Sequence, residues 1–148
     1  MKLHAWHTFF LVFYVALAWA AYAWLSSLEL LGGWIPLSDA ALITLAIFRL
    51  VRLASYDVIT QFVRDWFAGA DPASLRGTLA TLVNCPWCTG LWFSLIIVFA
   101  YFLTPIAWYA IVVLALSAAA SFLQLLANLI GWSAEVKKKE AQSIPLPR

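Results

Sequence analysis

The chain has 148 residues, of which 65% are hydrophobic and 16% aromatic, while only 11% are charged. A soluble domain of ordinary composition is about 45–50% apolar and about 25% charged, so this chain has too little polar surface to enclose a globule in water. Nine Lys and Arg against seven Asp and Glu give a net charge of +2, which also excludes the strongly basic face of a nucleic-acid binder.

The bilayer core excludes ionised groups and so marks its limits in the sequence. No charged residue occurs from Leu3 to Leu28, and none from Gly77 to Ala134. A spanning helix needs about 20 apolar residues, so the first run holds one span and the second holds two. The first is predicted at about 5–28. Lys2 and the small-residue steps around Ala18-Trp19-Ala20 also resemble a secretory signal. The run exceeds the about 7–15 residues of a signal core, and Trp19, Tyr22 and Trp24 suit an interfacial anchor, so an uncleaved span is expected.

Next, Ala40 to Phe48 is apolar, Arg49 and Arg52 interrupt, and Leu53 and Ala54 continue the pattern. We read a span at about 38–55 whose arginines lie near one membrane face, heads at the interface and stems in hydrocarbon. Between this span and Asn84, Val58, Ile59, Phe62, Val63, Trp66 and Phe67 recur at helical spacing, with Asp57 where an N-cap would stand and Gly69 where a helix would stop. This amphipathic helix either lies in the headgroup plane or packs onto the span ends. A second short helix is expected from Leu75, Leu79, Leu82 and Val83, after Asp71-Pro72 and with Ser74 near its start. The long apolar run then divides at Pro105, which removes a backbone donor and drives Thr104 out of helical geometry. Spans at about 88–104 and 107–132 follow. The tail at 135–148, with Lys137, Lys138, Lys139 and two late prolines, is expected to be disordered and able to touch anionic lipid.

The predicted fold is therefore an all-α integral membrane domain over 1–134, with four transmembrane helices and an amphipathic helical loop at 57–84. Lys and Arg accumulate on the cytoplasmic side of short loops. With the N-terminus inside, Lys2, Arg49, Arg52, Arg64, Arg76, Lys137, Lys138, Lys139 and Arg148 all fall on that side. The expected topology is N-in and C-in, with both termini cytoplasmic.

Cys85-Pro86-Trp87-Cys88 is the motif with reactive grammar. Pro86 fits the first helical position, making Cys85 the cap and placing Cys88 in the first turn, where helix amides favour a thiolate. No thioredoxin-like βαβ pattern accompanies it, and its expected side keeps thiols reduced. As zinc ligands, Cys85 and Cys88 would supply half a tetrahedral site; His4 and His7, three apart on the same side, are the candidates for the rest. The alternatives are interfacial histidines beside Trp6 and a structural role for the cysteines. Arg49 and Arg52, with Asp57 just beyond, are candidates for function because desolvating them is expensive. The simpler reading makes them anchors paired with Asp57, Asp65 or lipid phosphate. In the last span, Ser117, Ser121, Gln124 and Asn128 share a stripe that reads as a helix-packing seam, with Ala118, Ala119 and Ala120 keeping the region thin. No phosphate-binding loop, catalytic triad or acid/base carboxylate pair can be assembled, so no enzymatic activity is expected.

The order Phe48-Arg49-Leu50-Val51-Arg52-Leu53, then Asp57, then Cys85-Pro86-Trp87-Cys88-Thr89-Gly90-Leu91-Trp92 resembles the bacterial and phage membrane-protein family catalogued as domain of unknown function thirteen-sixty. The resemblance covers about 40–130. It implies a common three-span core, to which the first span is an addition. It also implies a cytoplasmic face built by Arg49, Arg52, Asp57, Cys85 and Cys88, with Pro86, Trp87 and Gly90 in the same motif. It implies no reaction. The expected role is a structural or protein-interaction component of the bacterial cytoplasmic (inner) membrane, with the lipid bilayer and another membrane protein or a second copy as partners. The alternatives are a phage holin-like lysis protein and a thiol or zinc site at the membrane surface; otherwise no cofactor is expected.

Overall fold

The computed structural model describes residues 2–143, except for the side chains of residues 2–4, 141 and 143. Six α-helices follow in order: α1 (Lys2–Ser27), α2 (Leu37–Ser55), α3 (Gln61–Phe67), α4 (Leu75–Asn84), α5 (Pro86–Leu103) and α6 (Ile106–Ser143). A 3-10 turn at Val58–Thr60 precedes α3, and no strand forms among the described residues.

Three of these helices are long and apolar enough to cross a membrane: Ala5–Ser27 within α1, Pro86–Leu103, and Ile106–Glu140 within α6. They are apolar around most of their circumference, which leaves large hydrophobic side chains facing outward instead of into a core. The expected span at 38–55 forms as α2, but Asp39, Arg49 and Arg52 lie within its 19 residues, and it lacks the apolarity of the other three.

The core lies where α2 meets α5 and α6. Ile43, Ala46, Ile97 and Ile111 form its buried cluster, flanked by Leu50, Val98 and Leu114. Ala46 is 0% exposed, and Ala115 and Ala118 on α6 are as closely covered. Small side chains there let helix backbones approach closely, gaining dispersion contacts and leaving no void. The polar ends fix the direction of packing. At one end Tyr101 of α5 donates to Asp39 of α2 at 2.6 Å. At the other end Val51 of α2 lies beside Gly90, near the start of α5. The two helices are thus antiparallel over matching lengths. The turn at Thr104-Pro105 sends α6 back alongside α2, with Thr104 donating its N–H to the Ala100 carbonyl at 3.1 Å as the C-cap of α5. Helix α1 attaches more loosely, through Phe10, Phe13 and Tyr14 around Trp92 of α5, at 5.3–6.4 Å between ring centroids.

The connecting segment forms two short helices as expected, the first of them preceded by a 3-10 turn. Its first turn tightens to 3-10 because the Thr60 hydroxyl bonds back to the Leu53 and Asp57 carbonyls. Gly69, with φ of +73°, follows α3 as expected of a stop. Ser74 caps α4 by accepting the Gly77 N–H at 3.0 Å. Helix α6 continues to Ser143 and so takes in residues 135–143 of the segment read from sequence as a basic tail. Ala, Glu, Lys and Gln there are strong helix formers, and Glu135 pairs with Lys139 one turn on at 3.0 Å. Residues 144–148 lie outside the described residues.

Candidate functional site

The last turn of α2 leaves backbone carbonyls without helical partners, and each must find a donor elsewhere. The Arg52 carbonyl takes the N–H groups of Tyr56 and Asp57 at 2.9 and 3.0 Å. That of Leu53 accepts from the Thr60 hydroxyl. That of Ala54 accepts from Arg64 Nη1 at 2.8 Å, while Arg64 Nη2 donates to the Asp57 carbonyl at 2.8 Å. Arg64 is therefore a cationic C-cap, well placed against the negative end of the α2 dipole. In the sequence it is only one of the basic residues that set the expected topology. The available signal was its position four residues after Thr60, which puts both side chains on one face; the two bond at 2.9 Å.

With the backbone settled, the Asp57 side chain is released from capping. It accepts no N–H of the following turn and instead pairs with Arg49 at 3.0 Å, the two side chains 23% and 20% exposed. Of the partners that the sequence leaves open for the two arginines, Asp57 pairs with Arg49, while Asp65 takes no part in an ion pair among the described residues. Arg52, one turn on, has its guanidinium 5.8 Å from the Tyr56 ring centroid.

Arg49, Arg52 and Asp57 line a cleft of about 470 Å³ between α2 and α6, which Ser121 and Gln124 complete. The seam residues divide accordingly. The most deeply covered stripe of α6 is Ile111, Ala115 and Ala118, with Ser117 and Ser121 half-buried beside it. Gln124 and Asn128 are exposed and bond to each other at 3.0 Å, and the Ser121 hydroxyl donates to the Ser117 carbonyl at 2.9 Å. These bonds stay within α6.

Cys85 and Cys88 begin α5 as the spacing implies. Pro86 occupies its first turn, and Cys85 Sγ accepts the Cys88 N–H at 3.3 Å. The two sulfurs stand at a disulfide-like separation, with Cα atoms 5.3 Å apart. Cys88 shares a narrow cleft of about 140 Å³ with His7, Tyr14 and Trp92. The His4 side chain lies outside the described residues, and among the described ones no three His, Cys, Asp or Glu side chains gather as a metal site. Trp87 points outward, 89% exposed, and Gly90 lies against Val51, so the motif joins α5 to α2.

Two contributors were missed. Thr89, buried, holds its hydroxyl 2.9 Å from both the Leu82 and Cys85 carbonyls, tying the end of α4 to the first turn of α5. Gly77 is buried where a Cβ would overlap the Asp71 carbonyl, so the loop before α4 closes only over glycine. A Thr four residues after a cap and a Gly two residues into a helix were the readable signals.

Residues 70–127, from the loop before α4 to just past Gln124, match a family described as Protein of unknown function (DUF1360). The UPF0713 protein YngL of Bacillus subtilis (strain 168) is 32% identical over 95 residues, covering 56% of this chain and 73% of the relative. The chain belongs to the DUF1360 family. No solved structure matches it. The stretch matched as DUF1360 holds the Cys-Pro-Trp-Cys motif, Thr89, Gly77 and the buried alanines of α6, and Arg49, Arg52 and Asp57 precede it. The matched stretch is narrower than the 40–130 expected from the motifs.

Proposed function

We propose that this chain is a four-span, non-enzymatic protein of the bacterial cytoplasmic (inner) membrane, acting through its arginine-bearing face as a structural or interaction component. The observation that carries the reading is the alignment of α2 with α5. Asp39 and Tyr101 meet at one end and Val51 and Gly90 at the other, so α2 is fitted to the depth of a helix apolar enough to span. Its ionisable residues lie towards its two ends, where a bilayer tolerates them. The basic residues Arg49, Arg52, Arg64 and Arg76 then share the cytoplasmic side with Lys137, Lys138 and Lys139. On the same side Val58, Ile59, Phe62 and Trp66 are 70–80% exposed, which suits a helix lying in the headgroup plane. The apolar clefts beside the arginines and the exposed face of α6 are surfaces on which another membrane protein or a second copy can pack.

Single-cysteine variants, made in a Cys85→Ser, Cys88→Ser background, test the topology by labelling with an impermeant maleimide. Label at Ser38 but not at Gln61 or Ser133 in intact cells is expected. Label at Gln61 or Ser133, or none at any site after permeabilisation, overturns it. For the role, expression is expected to leave the membrane potential steady and to yield discrete complexes after crosslinking. An abrupt loss of potential marks a holin-like lysis protein and refutes the structural reading.

A further inference from the structure

Most arginines of this face have partners within the chain. Arg49 pairs with Asp57, Arg64 serves two carbonyls, and Arg76 donates to the Trp66 carbonyl. Arg52 differs. Among the described residues it meets no carboxylate, and its Nε is shielded from solvent without a hydrogen-bond acceptor. Arginine stays charged in any protein environment, and the two Nη groups of Arg52, unlike its covered Nε, are neither shielded nor bonded among the described residues, which leaves them open to an acceptor from outside the chain.

The position of Arg52 indicates what that acceptor is. Phe48 and Arg52, four residues apart, share a stripe of α2 turned away from the buried Ile43 and Ala46, and Tyr56 follows at the cap of the helix with its ring beside the Arg52 guanidinium. Beside this stripe a cleft of about 620 Å³ opens between α2 and α5, with Val51 and Gly90 in its wall and Trp87 near the start of α5. Among the described residues no acidic one lines it. The absence of a side chain at Gly90 keeps this wall low beside Val51. From Trp87 to Ser94 the cleft follows α5 for about 10 Å of helical rise.

We propose that this cleft binds one anionic phospholipid, its phosphate on the Arg52 guanidinium and an acyl chain laid along Phe48, Val51 and Gly90. The guanidinium offers a planar pair of donors to phosphate, and the aromatic rings of Tyr56 and Trp87 suit the boundary between headgroup and acyl chain. The headgroup is anionic because Asp57 already neutralises Arg49, which leaves Arg52 in excess, and because no carboxylate in the cleft can receive the ammonium of a zwitterionic lipid. The site rests on the membrane reading above, yet its test does not depend on topology, because binding is measured on purified protein in detergent.

The experiment is native mass spectrometry of the full chain titrated with phosphatidylglycerol, phosphatidylcholine or inorganic phosphate. One phosphatidylglycerol is expected to be retained, with phosphatidylcholine binding at least tenfold more weakly and millimolar phosphate failing to displace the lipid. Arg52→Gln is expected to weaken phosphatidylglycerol binding about tenfold. Ser94→Phe, which narrows the inner part of the cleft without altering charge, is expected to do the same, and Lys138→Gln is expected to leave it unchanged. Equal binding of the two lipids, or wild-type binding by folded Arg52→Gln and Ser94→Phe, overturns the proposal. Displacement by phosphate alone identifies a free-phosphate site and overturns the lipid. If Arg52→Gln does not fold, the comparison of lipids and Ser94→Phe decide.

Discussion

Asp57→Ala isolates the ion pair that closes the arginine face, because the substitution removes the carboxylate and keeps the backbone carbonyl that Arg64 uses. The expected cost is about 2 kcal/mol. An exposed pair is worth about 0–1 kcal/mol, while breaking a fully buried one costs about 3–5 kcal/mol. At 20% and 23% exposure and a 3.0 Å separation, this pair lies between those limits. Arg49 left alone borders the cleft between α2 and α6, where water can reach part of its guanidinium, which holds the cost below the upper limit. The assay is reversible unfolding in mixed micelles of the wild type, Asp57→Ala, Arg49→Met and the double variant. A coupling energy of about 1–2 kcal/mol is expected from the cycle. Coupling below about 0.3 kcal/mol would show that the two side chains are neighbours without a shared energetic role, and would refute the reasoning.

Three further outcomes are expected. Gly77→Ala should destabilise by at least about 2 kcal/mol, since the added methyl overlaps the Asp71 carbonyl; helix propensity alone would give a gain of about 1 kcal/mol, so the sign of the change in melting temperature decides. Arg64→Met should cost about 2 kcal/mol by leaving the Ala54 carbonyl without its donor, and hydrogen exchange should quicken in the last turn of α2 before it does elsewhere. Tyr101→Phe should cost about 1 kcal/mol by removing the donor to Asp39, and an equal loss in Asp39→Asn with no further loss in the double variant would locate the effect in that bond.

The helices were legible because their signals are local. Uncharged runs, Pro105, Ser74 and the Pro86 start each declare a boundary within a few residues. The Arg49–Asp57 pair was legible too, since a helix end places the two residues two turns apart. What the sequence concealed depends on partners far along the chain or on backbone geometry. Arg64 looks like a solvated cation until the end of α2 arrives ten residues upstream with an open carbonyl. Gly77 looks like a weak helix residue until the Asp71 backbone crosses it. The polar stripe from Ser117 to Asn128 is the loudest pattern in α6, yet the covered face is Ile111, Ala115 and Ala118, where close approach of backbones replaces hydrogen bonding. The Lys run and the prolines beyond it resemble a disordered end, yet residues 135–142 are mostly strong helix formers and α6 continues through them, since extending an existing helix bears no nucleation cost.

The treatment of charge in α2 explains why hydropathy sets this helix apart from the three more apolar ones. Asp39, Arg49 and Arg52 count equally against a span when each is taken as an exposed ion. In the fold they are not equal. Asp39 is bonded by Tyr101 and Arg49 by Asp57, so two of the three are served from within the chain. Both partners lie outside α2, so the helix can be no more tolerant of a bilayer than its neighbours make it. On the proposed topology α2 depends on α5 for Tyr101, and Arg52 is the residue whose partner must come from the surroundings. A chain truncated after Asn84 keeps Asp57 but loses Tyr101 and the helices that cover Ile43, so a cysteine introduced at Ile43 should gain aqueous labelling, whereas truncation after Gln142 should leave it resistant.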